Sequence, residues 1–282
     1  MGVQLSIEGR VLLDSPDLIV ANIRDRDRVF SIFAEHRPEV VFHTAALKHL
    51  TLLERHPSEG IQTNVLGSKN LIDAAHEFGV GRFVNISTDK AADPTSVLGT
   101  TKRLAECYAA FVAGYSATSF VSVRFGNVLG SRGSVVPTFL AQIENGGPVT
   151  VTDPDVTRYF MTIPEAVRLV VQSGAIGSPG ETMILDMGEP VKIVDLAKRL
   201  IAHHGPGTPI EFTGLRPAEK LHEKLTSVRE SGTNKIHPRI NHTRVAPCDV
   251  SHAAEWIGMP ALVQAKQLLD EVERIDARLK VS

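Results

Sequence analysis

Cysteine is scarce: Cys107 and Cys248 are the only two in 282 residues. They cannot build a disulfide framework, and they fit a reducing compartment such as the cytoplasm. Excess charge of either sign is missing too. Thirty Lys and Arg stand against 32 Asp and Glu, a formal net charge of −2. A nucleic-acid partner would call for a basic face, so none is expected. No apolar run approaches the roughly 18 residues that cross a bilayer. Met1 to Arg10 shows no charged start followed by an apolar stretch, so no secretory signal is expected. Nor do the 11 histidines suggest a metal. His36, His43, His49 and His56 fall on different elements, His203 and His204 diverge on one helix, and no spacing matches zinc ligation.

What remains is an ordinary globular composition, 43% apolar and 22% charged, enough for one large α/β domain or two smaller ones. Short apolar strands alternate with longer helical patterns, the signature of a parallel sheet wrapped by helices. Strands are expected at Leu18–Ala21, Val40–His43, Phe83–Ile86 and Phe120–Phe125, with helices at Arg26–His36, Pro57–Phe78 and Leu98–Ala113. After about Gly126 glycine and proline become frequent and the elements shorten. Strands follow at Val149–Val151, Tyr159–Met161, Thr182–Leu185 and Ile210–Phe212, and helices at Pro164–Ser173, Ile193–His203, from Ala218, and at Pro260–Leu279. Ser227–His242 reads as a polar, irregular loop. This change of texture divides the chain into residues 1–126, with related strands recurring to about 190, and residues 127–282.

The most informative run is Ser87-Thr88-Asp89-Lys90, at the carboxyl end of an apolar strand. Open α/β sheets do their chemistry at that end. Ser87 and Thr88 can donate to a sugar hydroxyl, while Asp89 and Lys90 set an acid beside a base whose proton affinities burial can move. The plain alternative is a surface ion pair. Lys102 lies one turn past Leu98, so the two share a helix face. Ala45 and Ala46, after a strand, let a flat ligand approach the backbone, though taken alone the cluster reads more readily as tight helix packing. Asn64 on an inward helix face can hold neighbouring loops. Three later loops carry arginine: Arg124 to Ser134, Arg158 within Thr157–Met161, and Arg216 within Gly214–Lys220. Singly each is a solvated charge; together they point to a phosphorylated ligand, because arginine binds diphosphate bidentately.

These motifs, in this order from about Asp17 to Glu223, resemble the extended short-chain dehydrogenase/reductases, and more narrowly the UDP-N-acetylglucosamine 4,6-dehydratases. The resemblance implies a Rossmann-like doubly wound parallel sheet with a smaller C-terminal substrate-binding α/β region. It implies NAD, reduced and re-oxidised within one turnover, and a UDP-sugar substrate. Asp89 would protonate the departing hydroxyl on sugar carbon 6, Lys90 would take the carbon 5 proton, and Thr88 would bond the carbon 4 hydroxyl. Lys102 matches the lysine of the nicotinamide ribose. Ala45, Ala46, Leu47, Lys48, Asn64 and Ser87 match positions around the cofactor. Asn127, Ser134, Arg158, Arg216 and Glu219 match positions around the substrate. A homo-oligomer is expected.

The sequence departs from that pattern in three places. Leu98 stands where the superfamily has tyrosine, which moves proton handling onto Thr88-Asp89-Lys90. Ala218 replaces a usual glycine. No strand, glycine-rich turn and helix precede Asp17, so the sheet is expected to lack its first strands and its phosphate-cradling loop. Two or three lost charge-assisted hydrogen bonds, at about 1.5–3 kcal/mol each, would weaken NAD binding by a hundredfold or more. A dehydratase is therefore expected. A catalytically silent remnant that holds a nucleotide sugar or a full-length partner is the alternative, and a nucleotide-sugar epimerase a weaker one.

Overall fold

The computed structural model describes residues 17–131, 133–227, 230 and 233–278. Helix α1 (Arg26–His36) starts where the Asp25 carboxylate accepts the Arg28 amide and stops at Arg37, whose φ is 44°. Val29 and Phe33, four residues apart, form its buried face. Strand β1 (Val40–His43) and helix α2 (Leu50–Arg55) follow. Helix α3 runs in three parts, Pro57–Gly60, a π-helical stretch Ile61–Gly67, and Ser68–Glu77. The widened stretch carries Asn64, and such widenings recur at functional sites. Next come β2 (Arg82–Ile86), a 3-10 turn Asp89–Ala91, α4 (Val97–Ala113), β3 (Ser119–Arg124) and β4 (Asn127–Val128).

The second half holds α5 (Val135–Glu144), β5 (Val149–Val151), β6 (Thr157–Arg158), β7 (Phe160–Met161), α6 (Ile163–Ile176) and β8 (Glu181–Leu185). Then come β9 (Val191–Lys192), α7 (Ile193–His204), β10 (Ile210–Phe212), β11 (Thr233–His237), β12 (Ile240–Arg244), a 3-10 turn Ser251–Trp256, and α8 (Ala261–Arg278).

Six strands form the main sheet in the order β1-β2-β3-β8-β12-β11. The first four are parallel, so β1, β2 and β3 release their carboxyl ends along one rim. The other two run antiparallel. Phe83, Val84, Phe120 and Val121 are fully buried, because helices cover both faces of a parallel sheet. Fifteen of the 17 residues of α4 are buried, which makes it the central helix. The sheet lies on one side of it, and Val245, Trp256, Leu268 and Ile275 of the C-terminal segment complete the same apolar cluster.

Charge ties these layers together. Arg124 of β3 donates to Glu106 of α4 (2.7 and 2.5 Å) and to Glu230 (2.8 Å). Arg103 of α4 donates to Glu230 and to Asp276 of α8. Burial opposes ionisation of Glu230, but Arg124 and Arg103 prevail and hold its pKa down at about 2.

Three sequence expectations are corrected. Leu18–Ala21 is not a strand: among the described residues no neighbouring strand offers it hydrogen bonds, and Val20 is 92% exposed. The outer edge of β1 is likewise unpaired among the described residues. The run after Ala218 is not a helix, because Ala218 takes φ 61° and Lys220 is drawn off to carbonyls of another loop. Much of Ser227–His242 is a hairpin, in which β12 pairs with β8 through five residues, Ile240 to Arg244.

Candidate active site

The rim where β1, β2 and β3 end holds a cavity of about 450 Å³. The segment after β2 enters it first. The Ser87 amide continues the sheet by donating to Val123 (2.7 Å), and the Asp89 amide donates to Phe125 (3.1 Å). Thr88 then caps the 3-10 turn, accepting the Lys90 amide. These bonds fix three consecutive side chains with little freedom. The Thr88 hydroxyl donates to Asp89 Oδ1 (2.9 Å), and Lys90 Nζ donates to the same oxygen (3.1 Å). Asp89 is fully buried and its Oδ2 has no hydrogen-bond partner among the described residues. The Asp89–Lys90 pair is therefore not a surface ion pair.

Lys90 meets a second carboxylate, Glu223 Oε1, at 3.5 Å. Burial alone would lower the affinity of Lys90 for its proton. Asp89 and Glu223 outweigh that and hold its pKa above the usual lysine range, against an opposing Arg158. Lys102 behaves the other way: burial lowers it to about 8, with Glu106 as the opposing charge. His43 is pushed down to about 3 by burial and then by Lys102, so it is neutral; its Nε2 pairs with Ser68 Oγ at 2.8 Å. Ser87 bonds Glu106 at 2.5 Å, which links the site to the buried arginines.

The cavity brings together Ala46, Leu47, Lys48, Ser87, Thr88, Lys90, Lys102, Asn127 and Ser134, all expected from the sequence. Leu98 and Lys102 both line it, as their spacing required. Thr44, His49, Phe125 and Gly133 also line it; none was expected as a site residue, though they lie in the runs His43–His49 and Arg124–Ser134. His49 sits 3.2 Å from where a Cβ on Gly133 would lie, because α5 and its preceding turn bring Gly133 to it. Asn64 stands behind the wall. Its amide accepts from Leu47 N (2.9 Å) and donates to Leu47 O (3.0 Å). Ala45 and Asp89 are outside the lining.

The arginines fall differently from the expectation. Arg124 is wholly buried and its fork is taken up by Glu106 and Glu230. Arg158 is 7% exposed, lies outside the lining, and donates to Glu219 (2.8 Å) and to the Thr157 and Leu221 carbonyls. Neither is a solvated charge, and neither has its fork turned to solvent. Arg216 is exposed, and Glu219 accepts its amide at 3.2 Å. Arg132 lies outside the described residues. Ser134 caps the start of α5, whose N-terminus carries partial positive charge, and its Oγ has no hydrogen-bond partner among the described residues.

Ser87, Lys102 and the small Ala46 line the cavity together, so it offers a hydroxyl and an amine of the kind a ribose of NAD would need. Among the described residues no glycine-rich turn precedes β1 to receive the pyrophosphate.

A family model described as polysaccharide biosynthesis protein matches residues 7–245. The chain belongs to that family. It is 53% identical to the probable polysaccharide biosynthesis protein EpsC of Bacillus subtilis over 265 residues, 93% of this chain and 43% of that one. It thus spans less than half the length of that relative. A UDP-glucose 4-epimerase of Rickettsia canadensis is 37% identical, covering 77% of this chain and 64% of the relative. The inverting UDP-N-acetylglucosamine 4,6-dehydratase of Campylobacter jejuni is 36% identical, covering 75% and 63%. Among solved structures, Pen from Bacillus thuringiensis superposes with a TM-score of 0.74 at 36% identity, covering 80% of this chain and 72% of Pen. The NAD complex of Thermus thermophilus UDP-glucose 4-epimerase shares the fold, with a TM-score of 0.68 at 20% identity over 80% and 85%. The fold is therefore the Rossmann fold of short-chain dehydrogenase/reductases. In this chain the rim of the sheet carries Thr88, Asp89 and Lys90, with Leu98 facing the same cavity.

Proposed function

We propose that the chain carries the catalytic unit of an NAD-dependent 4,6-dehydratase acting on a UDP-N-acetylhexosamine, UDP-N-acetylglucosamine first among them, in surface polysaccharide synthesis. The observation that carries this reading is the hydroxyl, carboxylate and amine of Thr88, Asp89 and Lys90 joined through one Asp89 oxygen beside the cavity. A 4-epimerase needs a proton exchanged only at carbon 4. A dehydratase must also remove the carbon 5 proton and protonate a leaving hydroxyl, which requires a base and an acid together.

When bound, NAD supplies oxidation at carbon 4 and returns the hydride to carbon 6. Ser87 and Lys102 would hold its ribose. Thr88 takes the hydrogen bond of the carbon 4 hydroxyl and passes the proton to Asp89. Leu98 offers no hydroxyl for that step. Asp89 gives the proton to the carbon 6 hydroxyl as it departs, Lys90 removes the carbon 5 proton, and Lys90 later returns it. Both groups finish as they began. Ser134 at the start of α5, with Arg216, would receive the diphosphate.

The alternative outcome is a chain that binds a nucleotide sugar without turning it over. Incubation with UDP-N-acetylglucosamine and NAD, followed by mass spectrometry, separates the two. Product lighter by one water is expected, and Lys90→Ala should bind UDP normally and make none. Substrate returned unchanged, or converted only to its carbon 4 epimer, would sink the dehydratase reading.

A further inference from the structure

We propose that Glu223, which no sequence motif marks as part of the site, positions the Lys90 amine and stabilises the ammonium formed when Lys90 takes a proton. The proposal rests on Lys90 being the base of the dehydratase reading. Glu223 is only 6% exposed, and its Oε1 lies 3.5 Å from Lys90 Nζ. Its other oxygen, Oε2, has no hydrogen-bond partner among the described residues and lies 4.0 Å from Lys220 Nζ. A buried carboxylate left half unsatisfied costs stability unless a neighbouring charge compensates it.

The backbone that delivers Glu223 is held tightly. Lys220 Nζ donates to the carbonyls of Ala92 (3.1 Å) and Asp93 (2.7 Å), just past the catalytic turn. The Leu221 carbonyl accepts the Thr157 amide (3.0 Å) and the Arg158 guanidinium (3.2 Å). Two anchors, one to the Lys90 loop and one to β6, thus set the carboxylate against the amine. The charged groups facing Lys90 are Asp89, Glu223, Arg158 and Lys220. Asp89 is committed to the proton that leaves with the carbon 6 hydroxyl. That leaves Glu223 as the anion whose charge stays constant while Lys90 cycles.

The step balances without a further reactant. Once carbon 4 is a ketone, the carbon 5–hydrogen bond breaks, the proton bonds to Lys90 Nζ, and the electron pair forms the enolate. Positive charge appears on Lys90 beside Glu223, so the carboxylate stabilises the transition state. It also makes the resting amine harder to deprotonate.

That double effect gives a test independent of turnover. Acetic anhydride acylates only neutral amines, and peptide mass spectrometry reads Lys90 against the exposed Lys198. At pH 8, Glu223→Gln should raise the relative labelling rate of Lys90 at least tenfold, and Glu223→Asp less. The acid limb of the kcat/KM profile should move to lower pH while the plateau kcat falls; a merely structural role would lower activity with the profile unmoved. Should the Gln variant not fold, the Asp variant is read alone, and any acceleration supports the proposal. Equal labelling in a chain that dehydrates the sugar overturns the Glu223 proposal alone. A labelling difference in a chain that never dehydrates it overturns the base role of Lys90 instead.

Discussion

Asn64 holds Leu47 by both main-chain groups, accepting from its N–H at 2.9 Å and donating to its carbonyl at 3.0 Å. A helix side chain thereby does the work of a strand neighbour for the loop after β1. The same amide donates to Thr101 Oγ1 at 3.2 Å on α4, so one residue sets the spacing between the cavity wall and the helix of Lys102. Asn64→Leu leaves two backbone groups without partners. It should cost at most about 2–6 kcal/mol, at roughly 1–3 kcal/mol per unsatisfied group, less where water reaches the half-exposed Leu47, read by urea unfolding. Asn64→Asp keeps one bond and should cost less. Equal stability of wild type and Asn64→Leu would show that the loop holds its shape unaided.

Gly99 makes possible the approach of α4 to the catalytic turn. A Cβ there would collide with the Lys90 carbonyl oxygen, which is backbone and cannot swing aside. Gly99→Ala should therefore shift Lys90 away from Asp89 and cost about 1–3 kcal/mol as an overpacked core substitution, although alanine is the better helix former. Activity should fall further than stability. A variant as stable and as active as wild type would mean that α4 slides without disturbing Lys90.

The sequence exposes some of these relationships and hides others. The strands β2 and β3 show because both faces are buried, which writes them as apolar runs such as Phe83-Val84 and Phe120-Val121. Thr88, Asp89 and Lys90 show because they are consecutive. Glu223 does not, since Leu221, Glu223 and Lys224 space like a helix; only Lys220, reaching carbonyls about 127 residues away, pulls them into a loop. The β11–β12 hairpin hides for the same reason. His242 looks polar and exposed in sequence, yet it is buried against Glu181, 61 residues distant. Arg124 and Arg158 mislead most, because an arginine beside glycines reads as a phosphate ligand until its carboxylate partners are located.

Lys102 carries a cost that pH reveals. Its pKa falls from 10.5 unfolded to about 8 folded because burial disfavours the ammonium. Below pH 8 the native state must keep a buried charge. Between 8 and 10.5 the unfolded chain binds the extra proton, so native stability rises with pH across that window. The full penalty corresponds to on the order of 3 kcal/mol at most. Lys102→Met should therefore be more stable than wild type at pH 7, and the gap should close by about pH 10. It should also lose NAD affinity. A gap that stays constant with pH would mean that Lys102 is not the titrating group.

Thr88 gives the sharpest separation of binding from chemistry. Its hydroxyl donates to Asp89 Oδ1 at 2.9 Å, and in the proposed dehydratase it is the hydroxyl through which the proton of the carbon 4 hydroxyl would reach Asp89, Leu98 having none. Thr88→Val preserves shape and removes that route. Its kcat should fall by about 10²–10⁴-fold, the range for a lost proton-transfer partner, while KM for the UDP-sugar changes little. Thr88→Ser keeps the hydroxyl and should stay within about tenfold of wild type. Thr88→Val should also remove one of the bonds that Asp89 accepts, so proton transfer to the leaving hydroxyl slows along with oxidation at carbon 4. A Val variant that keeps wild-type kcat would transfer that step to another group, with the Ser87 hydroxyl next in reach of the same cavity.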